Sequence, residues 1–168
     1  MRKLSSWYVC IPVAVGLFLL DFITKKLVIH FLPSPQELFM GDGSDIVIFK
    51  NFFGIELSIT HAINTGAAWG YFGQFPYLLL AFRIILISLL TGYLLFFRTP
   101  LQFRFPLMLI LTGAVGNVVD FFLYGHVIDM IHFVFWGYSY PVFNIADSCI
   151  FVGTAMILIL TLLEKEKT

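Results

Sequence analysis

The chain has 168 residues, enough for one domain. Hydrophobic residues make up 60% of it and charged residues 12%, so it cannot cover its own apolar surface with polar groups, and lipid must be its solvent. Zero formal net charge and the lack of any basic cluster exclude nucleic acid as a partner.

Residues Arg2 and Lys3 open the chain like the start of a signal sequence, but the apolar run from Trp7 passes Asp21 and reaches Leu32 with no small-x-small cleavage site. This reads as a retained first span, about 8–31. Three more stretches are long enough to cross a bilayer as helix, about 76–97, 105–124 and 142–163. The second and third are separated by RTPLQFR, a short loop punctuated by Pro100 and Pro106. With the N-terminus inside, one side collects Arg2, Lys3, Arg98, Arg104, Lys165 and Lys167, and the other Lys25, Lys26 and Lys50. The excess of cations places both termini in the cytoplasm. Cys10 and Cys149 form no spacing motif and read as small apolar residues within spans.

The outer side then holds two longer pieces, about 32–75 and 125–141. The first starts as a Pro/Gly/Asp-rich loop and continues into two strand-like runs, DIVIFK and GIELSITH. In the second, Ile55, Leu57 and Ile59 alternate with Glu56, Ser58 and Thr60, the period of a strand with one apolar face. The stretch HAINTGAAWGYFG that follows is expected to form a short amphipathic interfacial helix.

Polar residues in the spans fall at one depth. Asp21 is about 20 Å along the outward-running first span, at about 1.5 Å per residue. Asn117 and Asp120 are in the outer part of the third span, and Asn144 and Asp147 near the outer end of the fourth; Asp129 lies just beyond the third, and Asn64 in the outer segment. Each Asn/Asp pair is spaced i, i+3 and faces one way on its helix. Gly113 and Gly116 allow the third span to pack closely on a neighbour.

Ionisable residues inside a membrane are functional candidates, although hydrogen-bonded glue between helices is a competing reading. There is no Ser-His-Asp spacing and no H-E-x-x-H motif; Ser148 lacks the surroundings of a nucleophile, and Lys25 and Lys26 are expected to snorkel outward. His126, Asp129 and His132 form an H-x-x-D-x-x-H row that would bind a metal only on a helix. Paired aspartates are the stronger candidates. Two close carboxylates share a proton, so one can activate water while the other polarises a carbonyl. Spacing alone does not order acid and base within such a pair.

Five blocks occurring in order, DFITK, NTGAAW, GAVGNVVD, GHVIDM and PVFNIADS, resemble the bacterial lipoprotein signal peptidases (type II) and span residues 21 to 153. The resemblance implies a mainly α membrane protein of four transmembrane helices with a small outer-face β-cradle. It implies an aspartic endopeptidase of the inner membrane that removes signal peptides from diacylglyceryl-modified prolipoproteins. The dyad would be Asp129 and Asp147. Supporting positions would be Asp21, Lys25, Asn64, Gly66, Asn117, Asp120, Asn144 and Ala146. It further implies a monomer without cofactor or metal, working in contact with membrane lipid and inhibited by globomycin-type cyclic peptides. The chain departs from the family pattern at Phe121, where the block usually continues with Arg. Arg83, in the second span, is a candidate for supplying that charge, with snorkelling as the plainer reading. A small transporter or channel subunit is the alternative function, since N-x-x-D occurs in two oppositely directed spans. An assembly subunit without chemistry is a third.

Overall fold

Hydrocarbon offers no water to a bare peptide group, so a spanning chain must close its own backbone hydrogen bonds. The computed structural model describes residues 7–33, 45–65 and 74–165. Within them four helices are long and apolar enough to cross a membrane: α1 (Trp7–Phe31), α2 (Pro76–Phe96), α3 (Leu101–Tyr124) and α4 (Ile145–Lys165). α3 begins earlier than the proline-punctuated reading put it, because Pro106 is accommodated inside the helix. Arg104, read as a loop residue, is therefore in the first turns of α3. It is buried, with its guanidinium over the Trp7 ring and its Nε donating to the Thr99 carbonyl at 3.2 Å. α4 begins later than expected, at Ile145, because Asn144 caps it.

Close packing of α3 on α4 depends on missing side chains. A Cβ on Gly113 would overlap the carbonyl oxygen of Ala146, and one on Gly153 would come within 2.6 Å of the Pro106 carbonyl oxygen. Gly116 faces the Ala146 methyl and the Asp21 carboxylate. Small residues that let backbones approach are the usual adhesive between helices in lipid, where the hydrophobic effect gives no preference for a neighbouring helix. α2 is the opposite case. None of its residues is buried, and Leu78, Leu89 and Phe96 are broadly exposed, as suits a helix facing lipid.

At one end of the bundle lies a four-stranded antiparallel sheet of β1 (Ile46–Phe52), β2 (Ile55–Asn64), β3 (Val127–Phe135) and β4 (Tyr138–Ser139), in that order. The two expected strands are β1 and β2. β2 runs on through His61–Asn64, where a short helix was expected to begin, because this stretch pairs with β3: Ala62 opposite Asp129 and Asn64 opposite Val127. The rest of that expected helix, 66–73, lies outside the described residues. Segment 125–141 supplies the second hairpin. Gly125, with φ of 77°, ends α3 in a left-handed cap that turns the chain straight into β3. Trp136 and Gly137, both at positive φ, make the tight turn to β4.

This strand also removes the geometry of the H-x-x-D-x-x-H row. Residues three apart on a strand point to opposite faces. His132 bonds Ser139 across the hairpin at 2.8 Å, whereas Asp129 turns into the bundle. Among the described residues no group of three His, Cys, Asp or Glu is placed to hold a metal ion. The sheet is seated on α1 through Val28, Leu32, Ile128 and Met130, which form the buried apolar core, with Ile59, Tyr124 and Ile131 packed around them.

The glycine crossing gives a paired test. Gly113→Ala must displace backbone on α4, so the thermal midpoint in detergent should drop by several degrees, given overpacking costs of about 1–3 kcal/mol. Gly92 on α2 has open space where a Cβ would stand, so Gly92→Ala should be neutral or slightly stabilising. Equal effects at both positions would mean that the close approach is not what holds α3 to α4.

Candidate active site

The site grows from a lysine. Lys25 was expected to snorkel; instead it is only 1% exposed. Its ammonium group spends its three donors on Asp21 Oδ2 at 2.7 Å, Asp120 Oδ2 at 2.7 Å and Asn117 Oδ1 at 3.2 Å. Both carboxylates have second duties. Asp21 Oδ1 accepts the backbone N–H of Ala146 at 2.8 Å, and Asp120 Oδ2 accepts that of Ile128 at 3.3 Å. One buried cation thus ties α1 to α3, and its two anions reach the start of α4 and of β3.

The first turn of α4 has two caps. Asn144 Oδ1 accepts the N–H of Asp147 at 2.7 Å, a normal N-cap three residues before its partner. Asp21 caps Ala146 from another helix, placing negative charge at the positive end of the helix dipole. These bonds fix the asparagines. Asn144 must turn its oxygen to the Asp147 N–H, so its Nδ2 faces Asp129 Oδ1 at 2.7 Å, Asn117 Oδ1 at 3.1 Å and the Ile128 carbonyl at 3.2 Å. Asn117 must turn its oxygen to Lys25, so its Nδ2 donates to Asp147 Oδ1 at 2.7 Å. Asn64, on β2, donates to Asp129 Oδ2 at 2.9 Å.

The result is two aspartates, one on a strand and one on a helix, joined through Asn144. They differ in access: Asp129 is 2% exposed, while Asp147 is only half-buried. Burial, reinforced by the neighbouring Asp147 charge, pushes the Asp129 carboxyl up to about 7. The Asn64 and Asn144 donors and the more distant Lys25 pull the other way without prevailing. Near neutrality Asp129 therefore holds a proton that an ordinary aspartate would have lost.

The structure brings together Asp21, Lys25, Asn64, Asn117, Asp120, Asp129, Asn144 and Asp147, with Ala146 contributing its N–H. Gly66 lies outside the described residues. Ile128 was not anticipated, because only its backbone takes part, and no side chain signals that in a sequence. Phe121 packs edge-to-face on Tyr77, with ring centroids 5.9 Å apart, and joins α3 to the first turn of α2. Ser148 bonds back to the Asn144 carbonyl at 3.0 Å.

A paired-carboxylate site set into a bundle of spanning helices marks a polytopic membrane protein equipped for acid–base chemistry. The profile of Signal peptidase (SPase) II matches residues 13–163. The lipoprotein signal peptidase of Clostridium acetobutylicum is 37% identical over 157 residues, covering 92% of this chain and 94% of that protein. That of Chlamydia pneumoniae is 34% identical, covering 83% and 82%. A bacterial membrane enzyme solved by the in meso method at 2.3 Å resolution superposes with a TM-score of 0.81 at 28% identity, covering 95% of this chain and 91% of that one. A second, solved at 1.9 Å, gives 0.74 at 29% identity, covering 92% of each. The chain belongs to the signal peptidase II family and is an aspartic-type, multi-pass bacterial membrane peptidase. Membership in a peptidase family displaces the transporter and scaffold readings.

Two measurements test the network. Lys25→Met leaves two buried carboxylates without their cation, at a cost of about 3–5 kcal/mol, and should leave little folded protein in detergent. Adding Asp120→Asn should restore part of the loss; no restoration would mean that Lys25 acts by packing alone. The second measurement is thermal stability against pH. Between about 4 and 7 the folded protein keeps the Asp129 proton that the unfolded chain has released, so stability should fall as pH rises through that window. Asp129→Asn cannot titrate and should show a flatter decline between about pH 4 and 7; parallel curves would rule out a raised Asp129.

Proposed function

We propose that this peptidase removes the signal peptide from diacylglyceryl-modified prolipoproteins, cutting before the lipidated cysteine, and that Asp129 and Asp147 are its catalytic pair. The observation that carries this reading is the unequal setting of the two carboxylates around Asn144: one deeply buried and protonated near neutrality, the other half-buried and held by the Asn117 amide. Asp147, the more accessible, takes a proton from the attacking water. Asp129 donates its proton toward the substrate carbonyl, and the pair later protonates the leaving amine. Asn144 holds Asp129 at a set angle to the start of α4, Asn64 holds the other oxygen of Asp129, and Asn117 holds Oδ1 of Asp147.

The lipoproteins in the names of the relatives from Clostridium and Chlamydia fit a site at the end of a helix bundle. Acyl chains and an apolar signal helix anchor such a substrate in lipid, and its scissile bond is then presented at the interface. Both termini lie in the cytoplasm in this reading, with the site near the outer face of the inner membrane, as the positive-inside bias supports. The enzyme works as a monomer, without cofactor, and globomycin-type cyclic peptides compete with substrate for the pair.

The test is cleavage of a diacylglyceryl-modified lipobox peptide by purified protein in the presence of a chelator, comparing wild type with Asp129→Asn and Asp147→Asn after a folding check. Cleavage before the lipidated cysteine by wild type, with each variant down about 10³-fold or more, is the expected result. Folded variants that still cut would move the chemistry to other residues.

A further inference from the structure

Arg83 is the one charged residue in the sequence of α2, a helix whose other side chains are suited to lipid. Placing an arginine within a span costs about 2.5–3.5 kcal/mol at the helix centre on insertion scales, so arginines there usually face the bundle interior and not lipid. Snorkelling would require it to share the lipid-facing side of α2 with Phe82, Ile85 and Leu89, all more than half exposed. It does not. Arg83 lies instead with Leu86, Ile87 and Leu90 on a neighbouring stripe turned toward α3, at spacings of three, four and seven, and these four line one wall of a cavity of about 170 Å³. The facing wall is Ile110, Ala114 and Asn117 of α3, at spacings of four and seven, and Ile150 of α4 closes the cavity.

The two polar lining residues are at the same end. α2 runs away from the active site and α3 runs toward it, so Arg83 comes first on its stripe and Asn117 last on its own. The Tyr77–Phe121 ring contact sets a common level for the two helices. Arg83 lies six residues below it, about 9 Å, and Asn117 four residues below it, about 6 Å. The cavity is therefore an apolar slot with a guanidinium and an amide at the end nearer the active site, and that amide is the one whose Nδ2 bonds Asp147.

A substrate must be unwound at the bond to be cut. Its bared carbonyls then sit at membrane depth, where each unsatisfied group costs several kcal/mol. A guanidinium offers five N–H donors and no acceptor, which suits a carbonyl and not an N–H. Resting on the proposed cleavage reaction, we infer that Arg83 is a substrate-binding residue. It donates to a backbone carbonyl of the signal-peptide segment just before the scissile bond, while the slot beneath takes an apolar side chain of that segment. The signal-peptide side is favoured because the slot extends from the site into the bundle, toward the half of the substrate that stays in lipid.

The test is steady-state cleavage of the lipidated peptide by wild type, Arg83→Met and Arg83→Lys, with thermal midpoints and pH profiles recorded for each. Loss of a charged hydrogen bond made equally in ground and transition states should raise KM about tenfold or more in Arg83→Met, leaving kcat and the pH profile in place, with Arg83→Lys intermediate. An unchanged KM overturns the inference. So does a fall in kcat with a displaced pH profile, which would make Arg83 a partner of the aspartates and not of the substrate. Ala114→Leu narrows the slot without touching a charge, and serves if Arg83→Met does not fold. It should raise KM more for a peptide with a bulky apolar residue before the bond than for one with alanine there; equal effects remove the slot. If wild type fails to cut, the proposed reaction itself falls. If wild type cuts and the variants behave like it, only the role of Arg83 falls.

Discussion

Lys25 bonds three groups at once from a position only 1% exposed. Asp21 and Asp120 each approach its ammonium to 2.7 Å, and each also accepts a backbone N–H. An ion cluster of this kind contributes little net stability compared with apolar packing, but it is intolerant of partial loss. What it supplies is position. α1, α3, α4 and β3 meet at fixed angles because any other arrangement leaves a charge or an amide hydrogen unsatisfied in a low-dielectric interior.

The asparagines carry that order to the aspartates. An asparagine can be turned end for end with little change in shape, so its orientation must be enforced by neighbours that only donate or only accept. Lys25 donates to Asn117, and the Asp147 N–H donates to Asn144, which leaves both amide nitrogens aimed at carboxylates. Burial of Asp129 raises its proton affinity, while Asp147 is less completely buried. A strand holds one aspartate and a helix terminus the other, so the asymmetry of the pair follows from the backbone that carries each.

Much of this was legible in the sequence. Spans are signalled by length and hydropathy, and the common depth of Asp21, Asn117, Asp120, Asn144 and Asp147 followed from counting residues along helices of opposite direction. Lys25 was misjudged because a lysine near a helix end normally snorkels, and only the convergence of two aspartates from different helices makes burial cheaper. β3 was missed for a different reason. VIDMIHFVF is almost continuously apolar, and its polar residues recur every third position, which imitates a helix; the turn that closes it is Trp136–Gly137, not one of the familiar turn pairs. The continuation of β2 through Asn64 was hidden because its partner strand had not been recognised. Backbone contributions from Ala146 and Ile128 have no side-chain signature at all.

The pairing of β2 with β3 sets the order in which the enzyme can come into being. Asn64 and Val127 are neighbours in the sheet but about sixty residues apart in the chain, and two spans lie between them. At ribosomal speeds of about 5–20 residues per second, β2 waits several seconds for its partner. Through that interval it can pair only with β1, and a lone hairpin is marginal in water. Asn64 has no Asp129 to hold, and the start of α4 has not yet been made. The polar cluster is therefore incomplete until the third helix has crossed and the fourth has begun to follow, so on the proposed assignment each newly made molecule has no catalytic pair while it is itself a chain entering the membrane.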